Sequence, residues 1–114
     1  MVDQLSATFA ALSDPIRRAI LSRLALGEAS VNELAAPFKV TVRAVSKHVA
    51  VLEKAGLITR SRRAQRRISR LDPTALQQAE VWLTAFRKLW DDRFDQLDMV
   101  LDQIKRGGLD DPRD

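Results

Sequence analysis

The sequence predicts a mainly helical chain with one small β-hairpin and a long helix after it. Three observations predict this. Several short stretches of 3- and 4-residue apolar spacing are each opened by a good capping residue. Residues 57–71 interrupt that spacing with two runs of strand-forming residues around a polar tip. From Pro73 to about Arg106 the helical spacing then runs on unbroken until Gly107-Gly108. A chain of 114 residues can bury one modest core, so a single domain over residues 1–106 with a disordered tail over 107–114 is expected.

Each element has its own warrant. Val2, Leu5, Phe9 and Leu12 recur at helical steps and predict a helix over 3–12. Asp14 is a natural N-cap, and Pro15 suits a first helical position because its missing N–H would be unpaired there. The second helix should run to about Leu26, with Ile16, Ile20, Leu21 and Leu24 facing inward, Arg17, Arg18 and Arg23 facing out, and Gly27 ending it. Ser30 and Glu33 have capping-box spacing and open a third helix over Val31–Phe38. Thr41 caps a fourth, over about 42–55, which Gly56 ends. A helix of about eight residues, a tight turn and a helix of about thirteen form a helix-turn-helix.

At about 100° per residue, Val45, Val49 and Leu52 share one face of the fourth helix, with Val42 and His48 at its edges. The opposite face holds Arg43, Lys47, Ala50 and Lys54, with Ser46 beside it. Such a helix can enter a major groove, because nothing bulky or acidic obstructs its outer side. Residues 57–61 and 66–71 read as strands around Arg62-Arg63-Ala64-Gln65. Six arginines and no acid lie between positions 60 and 70. A hairpin of this kind after a recognition helix is a wing, and the architecture is a winged helix-turn-helix with the wing over 57–71. The tip has no glycine, so the turn type stays open.

Charge supports the same reading. Residues 1–38 carry net −1, residues 39–71 net +9 and residues 72–114 net −4. A basic middle between neutral and acidic flanks suits a polyanion, although a solvated basic surface would show the same balance. The chain has no cysteine, which excludes disulfides, thiol redox sensing and cysteine-ligated metals. Its one histidine, His48, cannot build a histidine cluster within one chain and is read as a structural residue at the edge of its helix. There is no glycine-rich phosphate loop, no G-x-S-x-G and no metal-hydrolase motif, so neither an enzyme nor a cofactor is expected. No apolar stretch approaches the roughly 20 residues of a membrane span. The N-terminus lacks a secretory layout, which predicts a cytoplasmic protein.

Over residues 73–106, Leu76, Ala79, Leu83, Phe86, Trp90, Phe94, Leu97, Leu101 and Ile104 form a coiled-coil-like seam. At 1.5 Å per residue this helix is about 50 Å long, against about 30 Å for a domain made of the preceding residues. An apolar stripe of that length calls for a second copy of the chain, with the N-terminal helix contributing. The residues expected in this interface are Leu5, Phe9, Phe86, Trp90, Phe94, Leu97 and Leu101. The aromatic set Trp82, Phe86, Trp90 and Phe94 either packs there or lines a ligand cavity. Asp91, Asp95, Asp98 and Asp102 either collect a hard cation or pair at the surface with nearby bases such as Arg87 and Lys88.

Ala11 to Leu21, Val31 to Ala35, Ala44 to Val49 and Val51 to Ile58, in this order and spacing, resemble the ArsR/SmtB family of bacterial winged-helix regulators. With the long last helix, the resemblance covers nearly the whole chain. It implies a homodimer whose recognition helices and wings bind an inverted-repeat operator in double-stranded DNA, usually repressing a nearby operon. Carried over by position, the groove-facing residues are Thr41, Val42, Arg43, Ser46 and Lys47, and the wing contacts are Arg60, Arg62, Arg63, Arg66 and Arg67. Metal-sensing members place cysteines in the third helix or histidines and carboxylates on the last. This chain has neither set, so metal sensing is not expected, and no small-molecule effector is implied. Arg43 can pair with the O6 and N7 of a guanine or hold a phosphate, and Val42 can touch a thymine methyl or finish the core. Lys47 suits a phosphate. The competing function is a winged-helix module whose basic wing meets an acidic protein partner.

Overall fold

The structure, a computed structural model, describes residues 3–107. In chain order it has α1 (Gln4–Leu12), α2 (Pro15–Leu24), β1 (Ala29–Ser30), α3 (Val31–Ala35), α4 (Val42–Lys54), β2 (Ile58–Arg63), β3 (Arg66–Leu71) and α5 (Thr74–Gly107). The fold is mainly α with a small antiparallel sheet, a winged helix-turn-helix. The residues cluster into two units, one ending at Ala79 and the other starting at Glu80. Val2 and the tail from Gly108 onward lie outside the described residues, while Gly107, expected in the tail, still belongs to α5.

Helix starts follow the capping residues. The Asp14 carboxylate accepts from the Arg17 N–H at 3.0 Å, with Pro15 in the first turn. Ser30 and Glu33 form the reciprocal capping box expected of them. The Thr41 hydroxyl accepts from the Ala44 N–H at 3.0 Å. Pro73 falls one position earlier than expected: its carbonyl accepts the first helical bond, from the Gln77 N–H at 2.8 Å, so it is the cap. Asp72 still accepts from the Thr74 N–H at 3.0 Å. Two helices are shorter than their spacing suggested: α2 stops at Leu24 and α3 at Ala35. Pro37 explains the second: Ala36 is still helical in its backbone angles, but proline has no N–H to carry the ladder on to the Glu33 carbonyl.

In the first unit the core is built where the helical faces put it. Ile20, Leu34, Val45, Val49, Leu52, Leu57 and Ile58 are essentially inaccessible, joined by Ala11, Leu21, Leu24, Ala29 and Ala75. At about 25 cal/mol per Å² of apolar surface removed from water, side chains of this size each contribute roughly 1.5–3 kcal/mol. α1 turns a different face inward from the one its apolar spacing suggested. Thr8 and Ala11 are buried, whereas Leu5 and Leu12 are half-buried and Phe9 is exposed. Thr8 can be buried because its hydroxyl donates to the Gln4 carbonyl at 2.9 Å.

The sheet has order β1-β3-β2. β1 pairs Ala29 with Ser69 and Ser30 with Ile68. β2 and β3 pair from Ile58–Leu71 out to Arg63–Arg66, leaving a two-residue turn of Ala64 and Gln65. Arg62 and Arg63, expected in the loop, are therefore strand residues. Ala64 has φ 55°, and only the first of the two turn residues is positive, as in a type II′ turn.

In the second unit every residue of α5 from Glu80 to Arg106 is exposed. Along it run Phe86, Trp90, Phe94, Leu97 and Leu101, between 43% and 55% exposed. Trp82 stacks on Phe86 with centroids 5.7 Å apart, and Trp90 meets Phe94 edge-on at 5.1 Å. No helix among the described residues is long and apolar enough to cross a membrane.

Candidate nucleic-acid interface

α4 presents its outer face as the apolar spacing requires. Burying Val45, Val49 and Leu52 leaves Arg43, Lys47, Ala50 and Lys54 exposed, while Ser46 and His48 are half-buried. Val42, at the open end of the helix, is 45% exposed. The Thr41 hydroxyl accepts from its helix and keeps its own O–H free to donate to an anion at the positive end of the dipole. No acid appears on this helix before Glu53.

The hairpin register divides the wing arginines between two faces. Directly opposed residues in an antiparallel pair share a face, and successive residues alternate. Ile58, Arg60 and Arg62 therefore lie with Leu71, Ser69 and Arg67 on one face, whose inner end is buried at Ile58 and Ser69. Arg63 and Arg66 lie on the other, with Thr59 and Arg70 further in. Arg62 and Arg67 face each other across the ribbon, both exposed, and no ion pair is recorded for either among the described residues. Like charges placed directly opposite repel, so this pair is poised for an anion. A groove of about 350 Å³ lies between wing and helix-turn-helix, lined by Asn32, Val42, Arg60, Gln65, Arg66 and Arg67 among others.

The second face is already occupied by carboxylates. Both Nη atoms of Arg63 donate to Glu28, Nη2 reaching Oε2 at 3.2 Å. Arg70 Nη2 lies 3.6 Å from the same carboxylate. Arg66 Nη2 donates to Glu33 at 3.1 Å and to the Ser30 hydroxyl at 3.3 Å. Glu33 is held below its ordinary carboxylate value, first by the Ser30 backbone N–H, then by the Ser30 hydroxyl and by Arg66 and Arg23.

Arg60 stands apart from the other expected wing contacts. Its side chain is only 14% exposed, and Nη1 lies 3.8 Å from Glu53 in the last turn of α4. Its Nε and the hydroxyl of the opposed Ser69 are both buried without a hydrogen bond. The side chain braces β2 against the end of the recognition helix. Arg18 is exposed as expected and Arg17 is half-buried, and both guanidinium groups turn back on α1. Arg17 Nε donates to the Ala11 carbonyl at 2.7 Å and Arg18 Nη1 to the Leu12 carbonyl at 2.8 Å, filling acceptors that a helix C-terminus leaves open. Arg17 Nη1 also reaches His48 Nδ1 at 3.4 Å, and Asp14 lies 3.8 Å from that nitrogen. His48 thus has partners on two sides. Spacing alone missed these links, along with the bond from Gln4 Nε2 to the Ala55 carbonyl at 2.9 Å, which ties α1 to the end of α4. Among the described residues no three histidines or carboxylates converge as a metal site, and Asp91, Asp95, Asp98 and Asp102 carry no recorded ion pair.

Comparison with known proteins gives this geometry its context. A helix-turn-helix domain model matches residues 12–61. The chain is 43% identical over 76 residues to the HTH-type transcriptional regulator Rv2034 of Mycobacterium tuberculosis, covering 67% of this chain and 71% of that protein. It is 33% identical over 78 residues to the transcriptional repressor SdpR of Bacillus subtilis, covering 68% and 87% respectively. Among solved structures, the ArsR family transcriptional regulator RHA00566 superposes with a TM-score of 0.72 at 37% identity, over 78% of this chain and 98% of that one. Sequence and structure therefore agree that the chain belongs to the ArsR family of helix-turn-helix transcriptional regulators.

Proposed function

We propose that the chain is a homodimeric repressor that binds an inverted repeat in double-stranded DNA through α4 and the wing. The observation that carries this reading is the exposed basic surface of α4 and the wing. Arg43 and Lys47 are exposed on α4, and the opposed Arg62 and Arg67 are exposed near the tip of the hairpin. An acid-free recognition face beside two unneutralised guanidinium groups fits a duplex, with the helix in the major groove and the wing on phosphates. Likeness to a protein described as a repressor supports repression. The apolar seam of α5 supports dimerisation, because monomers rarely expose a contiguous stripe of this kind.

Duplexes selected from a random pool by the pure protein give the test. Arg43→Ala should cost about 1–3 kcal/mol on the selected site and relax one base position. Arg67→Ala should weaken selected and random duplexes alike. Equal losses on both duplexes for Arg43→Ala would remove its base-reading role. Failure to shift any duplex at low salt would overturn DNA binding itself.

A further inference from the structure

We propose that Glu28 and Glu33 act as internal phosphate mimics, competing with DNA for Arg63, Arg66 and Arg70 and so restraining sequence-independent binding. The inference rests on the DNA-binding role proposed above and concerns how strongly the wing attracts any polyanion.

Three observations lead to it. The first is geometric. Glu28 takes Arg63 through both guanidinium nitrogens, the forked arrangement an arginine also makes with a phosphate, and lies 3.6 Å from Arg70. Glu33 takes Arg66 at 3.1 Å. The second is exposure. The side chains of Arg63, Arg66 and Arg70 are 61%, 64% and 68% exposed, so an incoming backbone can reach the same guanidinium groups. Ion pairs this exposed contribute little to stability. Their main effect is to lower the charge the wing offers. The third is selectivity between faces. Of the exposed wing arginines, Arg63, Arg66 and Arg70 on one ribbon face are masked, whereas Arg62 and Arg67 on the other have no ion pair among the described residues; the Arg60 side chain, on that second face, is only 14% exposed beside Glu53. A duplex seated on the recognition helix can engage Arg62 and Arg67 without displacing a carboxylate. The masked arginines join only if the contacts already made can displace Glu28 and Glu33. Random DNA, making fewer base contacts, would gain less from them.

Glu33 is also fixed in place. Its carboxylate accepts from the Ser30 N–H at 3.2 Å and from the Ser30 hydroxyl at 3.0 Å, so the capping box holds the competing anion at one position. Glutamine serves equally well at that position of a capping box. Glu33→Gln therefore removes the charge and leaves the helix start intact. Glu28→Gln is isosteric on the surface.

The test uses the full chain, with Glu28→Gln/Glu33→Gln as the variant and Asp98→Asn/Asp102→Asn as a control that removes the same charge on another element. Heparin, a polyanion without sequence, is the first probe. The glutamine variant should leave a heparin column at higher salt than wild type, and the control should stay near wild type. On a random duplex it should bind several-fold tighter. The slope of log K against log salt should steepen by about 0.9 for each additional phosphate neutralised. The ratio of selected-site to random affinity should fall. Unchanged heparin elution, or an equal shift in the control, would overturn the inference. If wild type retards no duplex while the heparin shift appears as expected, it is the DNA-binding role that falls, and the competition for the wing arginines stands.

Discussion

Gly56 is where the recognition helix has to stop. Its φ of +80° places it in the left-handed region, and two bonds close the helix end around it, Gly56 N–H to the Glu53 carbonyl and Leu57 N–H to the Leu52 carbonyl, both at 3.0 Å. This is a Schellman motif, and its accompanying apolar contact is made by Leu52 and Leu57, both fully buried. A Cβ at Gly56 would meet nothing closer than the Gln4 side chain at 3.7 Å, so an alanine there fits and its cost is conformational. Gly56→Ala should destabilise the fold by about 1–2 kcal/mol, read from the urea midpoint. An unchanged midpoint would mean the left-handed turn is not required. Capping and helix-stop residues of this kind are legible in sequence because their partners lie within a few positions. Arg17, Arg18 and Arg60 are not, since a long side chain chooses among acceptors that only the packed elements bring near.

The capped helices share one dependence on acid. Asp3, Asp14 and Asp72 are each held below the usual aspartate value of 3.8, first by a backbone N–H at a helix start, donated by Ser6, Arg17 and Thr74 respectively. Glu33 is lowered from 4.5 by the Ser30 N–H. Because the folded values lie below the unfolded ones, the folded state binds fewer protons in acid. Their contribution is complete above the unfolded values and is lost as pH falls through the folded ones. The urea midpoint should stay level between about pH 7 and 5 and decline below about 4. Asp14→Asn, which still caps, should flatten part of that decline, and a midpoint level down to about pH 2 would refute it. At this scale the longer helices and the hairpin were legible because each spans several periods of its pattern, and the five-residue α3 because of its capping box. β1 was not, since two residues carry no period and pair only because β3 passes beside them.

Over the whole chain, charge and apolar surface are segregated. The positive stretch lies in the first unit and the exposed apolar stripe in the second, which suits one unit for DNA and the other for a second copy. Leu97→Asp should give a monomer by light scattering at micromolar concentration that keeps weak nonspecific binding and loses the selected site. A monomeric wild type would refute the dimer. Affinity for DNA should fall on the order of 10³–10⁵ between 50 and 200 mM salt if a dimer makes about 6–10 phosphate contacts. The position of the charge could be read from composition alone. Its division between free and masked arginines could not, because Glu28 and Glu33 lie 35 and 33 residues away in sequence from Arg63 and Arg66.

The register of the wing makes an arginine's role a matter of parity. On β2 the even positions share the face of buried Ile58, and on β3 the odd positions share the face of buried Ser69. An extra residue between Arg67 and Ile68 that slipped the pairing by one, rather than bulging out, would set Arg67 opposite Arg63 on the face of the carboxylates and move Arg66 off it. Composition, net charge and core would all stay nearly the same. Regulators with equally basic wings can thus differ in DNA preference through counting alone, and aligning their arginines without gaps would conceal it.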